Sequence, residues 1–578
     1  MTLKSKNSMP EYLSPGVYVE EYDSGSKPME GVSTSVAGFI GMAVRGKTVG
    51  EPVLITSFAD YQRNFGGYLS ENAYGGYRYL PYSVEQFFQN GGSRCYVMRV
   101  APADAREASK EINGKIKFSA SSQGEWGDKI LVSITKDSKA KTQILEENKE
   151  EARYEFKSVA GFNEGDIVLF NDGETQVYNK IKKIIENSVE FEQPFDVDVV
   201  DKELVPKKLI STCEISMVIR YDETIEKYDK VSLNIKSPNY ILNKLSKSDL
   251  IEVEMLSDEL EANSIIAQIY GEDVNKFSFA LSNGFDGTIG SVDASVYLGE
   301  DKGPSMRTGL QAFLDNSIVS MMAVPGITDP SVLVSLVAHC ENLASRMAIL
   351  DIPKDTVKVN EISDYRSMFD TTYAAMYHPW VQVYDNLEKK ATHIPPSGVM
   401  AGIYARSDTQ RGVHKAPANE TVLCTGLSCL YNKGEQDILN PIGVNLLRAF
   451  PGQGIKVWGA RTCSSDQAMK YINVRRLLIF IEETIKTNTN WVVFEPNNEL
   501  LWMRVQRTIS NFLTTLWGTG ALAGTSPAEA FFVDVSRNTM SPDDIANGRL
   551  ICNIGVAPTR PAEFVIFKVT QLMGDENA

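Results

Sequence analysis

Residues 439–567 carry, in order, Leu439-Asn440-Pro441, Val457-Trp458-Gly459-Ala460-Arg461-Thr462, Tyr471-Ile472-Asn473-Val474-Arg475-Arg476-Leu477, Phe494-Glu495-Pro496-Asn497 and Pro561-Ala562-Glu563-Phe564-Val565-Ile566-Phe567. Two long amphipathic patterns lie among them. Ile472, Leu478, Ile481 and Ile485 recur at helical spacing, as do Leu501, Val505, Ile509, Phe512 and Leu516 in a run stopped by Gly518 and Gly520. Each predicts a helix with one apolar stripe. The opposite faces carry Arg475, Arg476, Glu482 and Glu483, or Arg504, Gln506 and Arg507, which read as solvated charge. Apolar runs at Leu446–Phe450, Ile455–Trp458, Phe531–Val533 and Leu550–Ile554 predict strands beneath these helices. Nothing in this order supplies a nucleophile, a base and an electrophile.

These motifs, in this order, resemble the C-terminal domain of the contractile tail sheath family, whose members sheathe phage tails, contractile bacteriocins and related injection machines. The bulk properties fit a protein of that kind. A chain of 578 residues exceeds a single core, and at about 150 residues per domain it predicts three or four. The apolar run Leu477–Ile481 ends in charge far short of the ~20 residues needed to cross a bilayer, so no membrane insertion is expected. Met1–Ser8 leads into Pro10 without an apolar signal region, and no secretion signal is expected. The net charge of −16 opposes binding to phosphate backbones and argues against a nucleic-acid partner. Seven scattered cysteines suit reduced thiols, and Cys424, Cys429 and His414 lack a zinc-site spacing, so no metal is expected.

From the start, residues 1–30 read as an extended arm. Ser14-Pro15-Gly16 turns into a short strand, Val17-Tyr18-Val19-Glu20-Glu21, isolated by Ser24-Gly25-Ser26-Lys27-Pro28. An α/β unit follows, with buried strands at Val36–Gly41 and Val53–Thr56, a helix capped by Ser57, a second helix over Ser83–Asn90 and a return strand at Cys95–Val100. Residues 103–280 shift to lysine, glutamate and asparagine with short β patterns divided by turns such as Asn171-Asp172-Gly173, and predict a mainly β surface insertion. The α/β pattern resumes with a helix at Gly309–Leu314, a strand at Ile318–Val324, a helix after Asp329-Pro330 that carries His339 as a packed or surface residue, and a strand at Met347–Leu350. The division is therefore 1–30, a discontinuous middle domain of 31–102 and 281–430, the insertion 103–280, a C-terminal α/β core of 431–557 and a strand arm of 558–578. The fold class is mixed α/β and multidomain.

Gly41-Met42-Ala43-Val44-Arg45-Gly46-Lys47-Thr48 fits the nucleotide-binding pattern Gly-x4-Gly-Lys-Thr after an apolar strand, and Met347–Asp351 resembles its magnesium-binding companion. A P-loop NTPase is therefore the alternative function. The pattern needs a helix after Thr48 to aim N–H groups at phosphates. Val49-Gly50-Glu51-Pro52 denies it one, because glycine weakens a helix and proline pushes Glu51 out of helical geometry. The simpler reading is a strand-to-strand loop with Arg45 and Lys47 in solvent. A hydrolase built from Ser397 or Ser428, His414 and Asp408 lacks the second glycine of a nucleophile elbow at Gly426-Leu427-Ser428-Cys429-Leu430.

Further motifs resemble the same family: Ile394-Pro395-Pro396-Ser397-Gly398, Ala401–Arg406, Arg411–His414 and Ala416–Asn419. The resemblance implies a structural subunit, without enzymatic activity, catalytic residues or cofactor. It would polymerise helically around an inner tube and contract on a trigger, driving the tube through a cell envelope without NTP hydrolysis. Implied partners are other copies of the chain, the inner tube protein, the baseplate and a tail terminator or cap. Assembly would take place in a bacterial cytoplasm, for use in a phage tail or a released particle. The strands Val17, Tyr18, Val19, Glu20 and Phe564, Val565, Ile566, Phe567, Val569 would be exchanged between subunits, and Arg504 and Arg507 would face the tube.

Overall fold

The structure is a computed structural model that describes residues 29–112, 114–256 and 276–564. It divides into a larger unit, Ser33–Arg476, and a smaller one that gathers Met1–Val32 and Leu477–Ala578.

The larger unit is built on an eight-stranded sheet. Its strands are β1 (Ala37–Met42), β2 (Val53–Ile55), β3 (Cys95–Val100), β4 (Met321–Ala323), β5 (Met347–Asp351), β6 (Ala374–His378), β7 (Val444–Phe450) and β8 (Gly454–Val457). The spatial order is β2-β3-β1-β4-β5-β6-β7-β8. The six inner strands run parallel, and β2 and β8 close the two edges antiparallel. β1, β5 and β6 are buried at every position, because a parallel sheet carries cover on both faces. Phe39, Ile349 and Tyr377 feed one core, and their neighbours Ile40, Leu350 and Met376 feed the other.

Helices of this unit include α1 (Phe58–Phe65), α2 (Leu80–Gln89), α3 (Pro330–Leu343), α4 (Val359–Arg366) and α5 (Ser397–Arg411). Ser57 caps α1 by accepting from the Asp60 N–H, as its position predicts. α2 and α5 lie against each other without side chains between them at two points. A Cβ on Gly398 would sit 2.5 Å from Ser83 O, and one on Gly402 would sit 2.5 Å from Phe87 O. A buried ion pair spans the insertion in sequence. Arg78 Nη1 lies 3.1 Å from Asp385 Oδ2, which also accepts from Tyr82 Oη at 2.8 Å.

The insertion is β throughout its described length apart from the helix Ile241–Leu245 and a turn of 3-10 helix at Glu125–Lys129. One of its sheets pairs Leu131–Asp137 with Glu214–Tyr221, and Asp137 faces Glu214. A second, of seven strands, hangs between those two residues. The run Lys141–Asn148 pairs with one end of that sheet through Lys141–Thr142 and with the other through Ile144–Asn148, so the sheet closes on itself. Tyr154, Phe156, Phe170, Phe191 and Phe195 fill it.

The smaller unit contains α6 (Ile472–Asn488) from Leu477 onward, α7 (Glu499–Gly518) and a two-stranded antiparallel sheet of β9 (Phe531–Asp534) and β10 (Asn553–Val556). Asn498 caps α7, and Leu501, Val505, Ile509 and Leu513 form its buried stripe. Gln506 Nε2 donates to Val533 O at 2.7 Å and ties strand to helix.

Several expectations need correction. Residues 446–450 and 455–457 lie in the eight-stranded sheet of the larger unit, where β7 pairs parallel with β6, and not in the sheet of the smaller unit. Their apolar pattern fitted either site. The strand expected at Leu550 begins at Asn553, and Gly309–Phe313 is 3-10 helix. Arg475 and Arg476 are buried. Arg476 makes a two-pronged pair with Asp408 at 2.9 and 2.6 Å, and Arg475 lies over Tyr373 with 4.6 Å to the ring centre. Their partners are distant in sequence, so helical periodicity alone placed them in solvent.

Substituting Gly402 by valine inserts a side chain where α2 leaves no room. The expected cost is about 3 kcal/mol, typical of overpacking, read as a lowered denaturation midpoint with an unchanged slope.

Candidate functional site

The phosphate-loop pattern forms a structural corner. β1 ends at Met42, no helix follows Thr48, and the chain turns through Val49, bridged to Thr308, into β2. Two of its amides are already engaged. The Arg45 N–H donates to Phe65 O at 3.1 Å and the Gly46 N–H to Ser122 Oγ at 3.0 Å. Arg99 donates to Ala43 O and Gly46 O from the other side. Arg45 is buried, contrary to the solvated reading. Its guanidinium lies against Tyr221 and Trp126, at 4.7 and 5.6 Å from the ring centres, and burial lowers its pKa. Two aromatic residues of the insertion thus cover it, which its local sequence could not reveal.

The supposed magnesium ligand is occupied as well. Asp351 accepts from Ser397 N–H at 2.9 Å, Ser397 Oγ at 2.7 Å and Gly326 N–H at 3.1 Å, at the start of α5. Complete burial pushes its carboxyl up to about 6, and the three bonds oppose that shift. The same contacts dismantle the hydrolase reading. Ser397 serves Asp351, while both Asp408 oxygens are taken by Arg476 and one also accepts from Thr34 Oγ1 at 2.7 Å. His339 is buried beside Arg346 at 3.4 Å, and burial followed by that charge brings its pKa down to about 4. Among the described residues no three His, Cys, Asp or Glu side chains converge on a metal position.

The smaller unit offers a different kind of site. β9 and β10 form a sheet of two strands, so among the described residues each has an edge without a strand beside it. Two strands alone are marginal, and an open edge accepts another strand through main-chain bonds. The chain after β10 stays attached. Ala557 donates to Ala530 O, Thr559 N–H to Ala521 O at 3.1 Å, and Thr559 Oγ1 to Gly520 O at 2.9 Å. Phe564, the last described residue, is 74% exposed and belongs to no strand. Val17, Tyr18, Val19, Glu20, Val565, Ile566, Phe567 and Val569 lie outside the described residues. Arg504 and Arg507 are exposed on α7, beside Leu500 and Met503, and Arg504 stacks over Trp491 at 4.5 Å.

The phage tail sheath protein central domain matches residues 299–463, and the phage tail sheath C-terminal domain matches residues 464–571. A prophage major tail sheath protein of Pseudomonas aeruginosa (strain UCBPP-PA14) is 26% identical over 288 residues, 48% of this chain and 72% of that protein. The tail sheath protein of Burkholderia phage BcepMu is 26% identical over 299 residues, 48% of this chain and 61% of that protein. In fold, the chain is similar to the contracted sheath complex of an extracellular contractile injection system, PVC, with a TM-score of 0.51 and 21% identity over 98% of this chain and 99% of that one. Residues 299–571 of this chain therefore carry the central and C-terminal domains of the phage tail sheath family.

Asp351 gives a measurable signature. Its folded pKa is raised from 3.8 to about 6, so the folded state holds the proton more tightly. Its contribution is full below about pH 4 and is lost as pH rises through 6. Wild type should therefore gain about 2 kcal/mol relative to Asp351→Asn between pH 7 and pH 4, measured by urea unfolding across that range.

Proposed function

We propose that this chain is the repeating subunit of a contractile sheath that surrounds an inner tube and shortens on a trigger, using energy held in its lattice and no nucleotide. The observation that carries this reading is the two-stranded sheet of the smaller unit, whose edges have no further strand among the described residues, in a chain that carries the sheath-family domains. A strand from one copy added to that edge in the next would link subunits while each globular body moves as a whole. We take residues 1–30 and 558–578 as the arms, 31–102 with 281–430 as the middle domain, 431–557 as the C-terminal core and 103–280 as an outward decoration. The exchanged residues would be Val17, Tyr18, Val19 and Glu20 at one end, and Phe564, Val565, Ile566, Phe567 and Val569 at the other.

Repacking from a long lattice to a shorter one requires extra burial. At ~25 cal/mol per Å² of apolar surface, ~200 Å² more per subunit favours contraction by ~5 kcal/mol before opposing costs. Summed along a tail, this would push a tube through an envelope. The baseplate would supply the trigger and a terminator would cap the far end. Subunits would assemble in a bacterial cytoplasm and act in a phage tail or released particle. Among the described residues no helix is long and apolar enough to cross a membrane.

Deleting residues 1–28, or residues 565–578, should leave folded subunits that fail to polymerise; sheaths of normal length in electron micrographs of either deletion would refute strand exchange. Arg504 and Arg507 would meet the tube. Reversing both to glutamate should reduce sheathed tubes at low salt more than at high salt, where charge is screened. Equal loss at both salt concentrations would remove these arginines from the tube contact.

A further inference from the structure

Residues 30–32 do not run free toward the N-terminus. Within the smaller unit they are held along α6 by two side chains one helical turn apart. Asn488 Oδ1 accepts from the Glu30 N–H at 3.3 Å, and Asn488 Nδ2 donates to Glu30 O at 2.9 Å. Thr484 Oγ1 accepts from the Val32 N–H at 3.2 Å. One carboxamide thus satisfies both main-chain groups of one residue, as a neighbouring strand would. The spacing is commensurate. Four helical residues rise about 6 Å, and two residues of extended chain cover about 6.6 Å.

Between the two grips lies Gly31. A Cβ there would stand 2.8 Å from Phe480 Cζ and 3.0 Å from Cε2. Phe480 is backed by Phe512 of α7, with ring centres 6.1 Å apart, so it has limited room to withdraw. Asn488 is braced in turn, because its Nδ2 also donates to Thr484 O at 2.8 Å.

We propose that Asn488, Thr484 and Gly31 form a clip that fixes where the N-terminal arm leaves the subunit, and so positions the arm for exchange with a neighbouring copy. This rests on the reading of residues 1–28 as an exchanged arm. The clip grips main chain, so it sets place and direction without demanding particular side chains at residues 30 and 32. Only Gly31 is dictated. These are positioning residues, since the exchanged strand itself lies upstream.

The test uses the full-length chain, polymerised from purified subunits. Asn488→Ala and Gly31→Val should each raise the concentration needed for polymerisation roughly tenfold, the scale expected from losing one or two hydrogen bonds at an ordered junction, while the melting temperature of the subunit stays unchanged. Thr484→Ser, which keeps the hydroxyl, should behave as wild type. Deletion of residues 1–28 serves as the reference. If that deletion abolishes polymerisation and both clip variants polymerise at the wild-type concentration, the clip is overturned and the arm stands. If the deletion itself polymerises normally, the arm reading fails, and the clip's role fails with it. Should a clip variant melt early, hydrogen exchange on wild-type subunits decides: slow exchange at the Glu30 and Val32 amides upholds the clip, and free exchange overturns it.

Discussion

The pair between Arg476 and Asp408 holds the first and last residues of the larger unit to its interior. Both oxygens of Asp408 receive the guanidinium, Arg476 Nη2 also donates to Thr34 O at 2.9 Å, and Thr34 Oγ1 returns a bond to Asp408. Tyr404 stacks on the guanidinium at 4.7 Å. Both charged side chains are almost fully withdrawn from water. Burial of that kind is costly unless every polar group is answered, and removing one partner of such a pair costs about 3–5 kcal/mol. Here the main chain at Thr34 and the hydroxyl beside it complete the set. The eight-stranded sheet can therefore begin at β1 and end beyond β8 with its two chain ends fastened at a single point.

Around that point, two kinds of sheet serve two purposes. The parallel strands are covered on both faces and finished by antiparallel edges, which suits a body that must stay rigid. Among the described residues β9 and β10 stand as a pair, which suits a body that must join others. A polymer that changes length without coming apart needs both properties in one chain. The clip proposed at Asn488 extends the division, because it holds residues 30–32 at a defined place along α6.

Much of this was legible in the sequence where local chemistry decides. All-apolar runs such as Val36–Gly41 and Met347–Leu350 announced buried strands. Ser57 announced a cap, and the spacing of Leu501, Val505 and Ile509 announced the buried stripe of α7. The ordered motifs of residues 439–567 pointed to the family. The sequence misled where a distant partner decides. Arg45, Arg475 and Arg476 looked solvated because nothing nearby in the chain shows Trp126, Tyr373 or Asp408. β7 and β8 carry an apolar pattern that fits two sheets equally, and only pairing with β6 chooses. The clip joins residues more than 450 positions apart, and no periodicity reports such a contact.

The closed sheet within the insertion has a consequence of another kind. It enters after Asp137 and returns at Glu214, residues that face each other across an antiparallel pair, where Cα atoms stand about 5 Å apart. It also fills its own interior. Such a module resembles a fitting in a socket: a short turn could replace it, and so could any domain whose ends lie equally close. In a particle made of many identical subunits, one exchange at that socket would repeat a chosen domain at every lattice position, so the regularity of the assembly becomes a regular array for whatever is installed there.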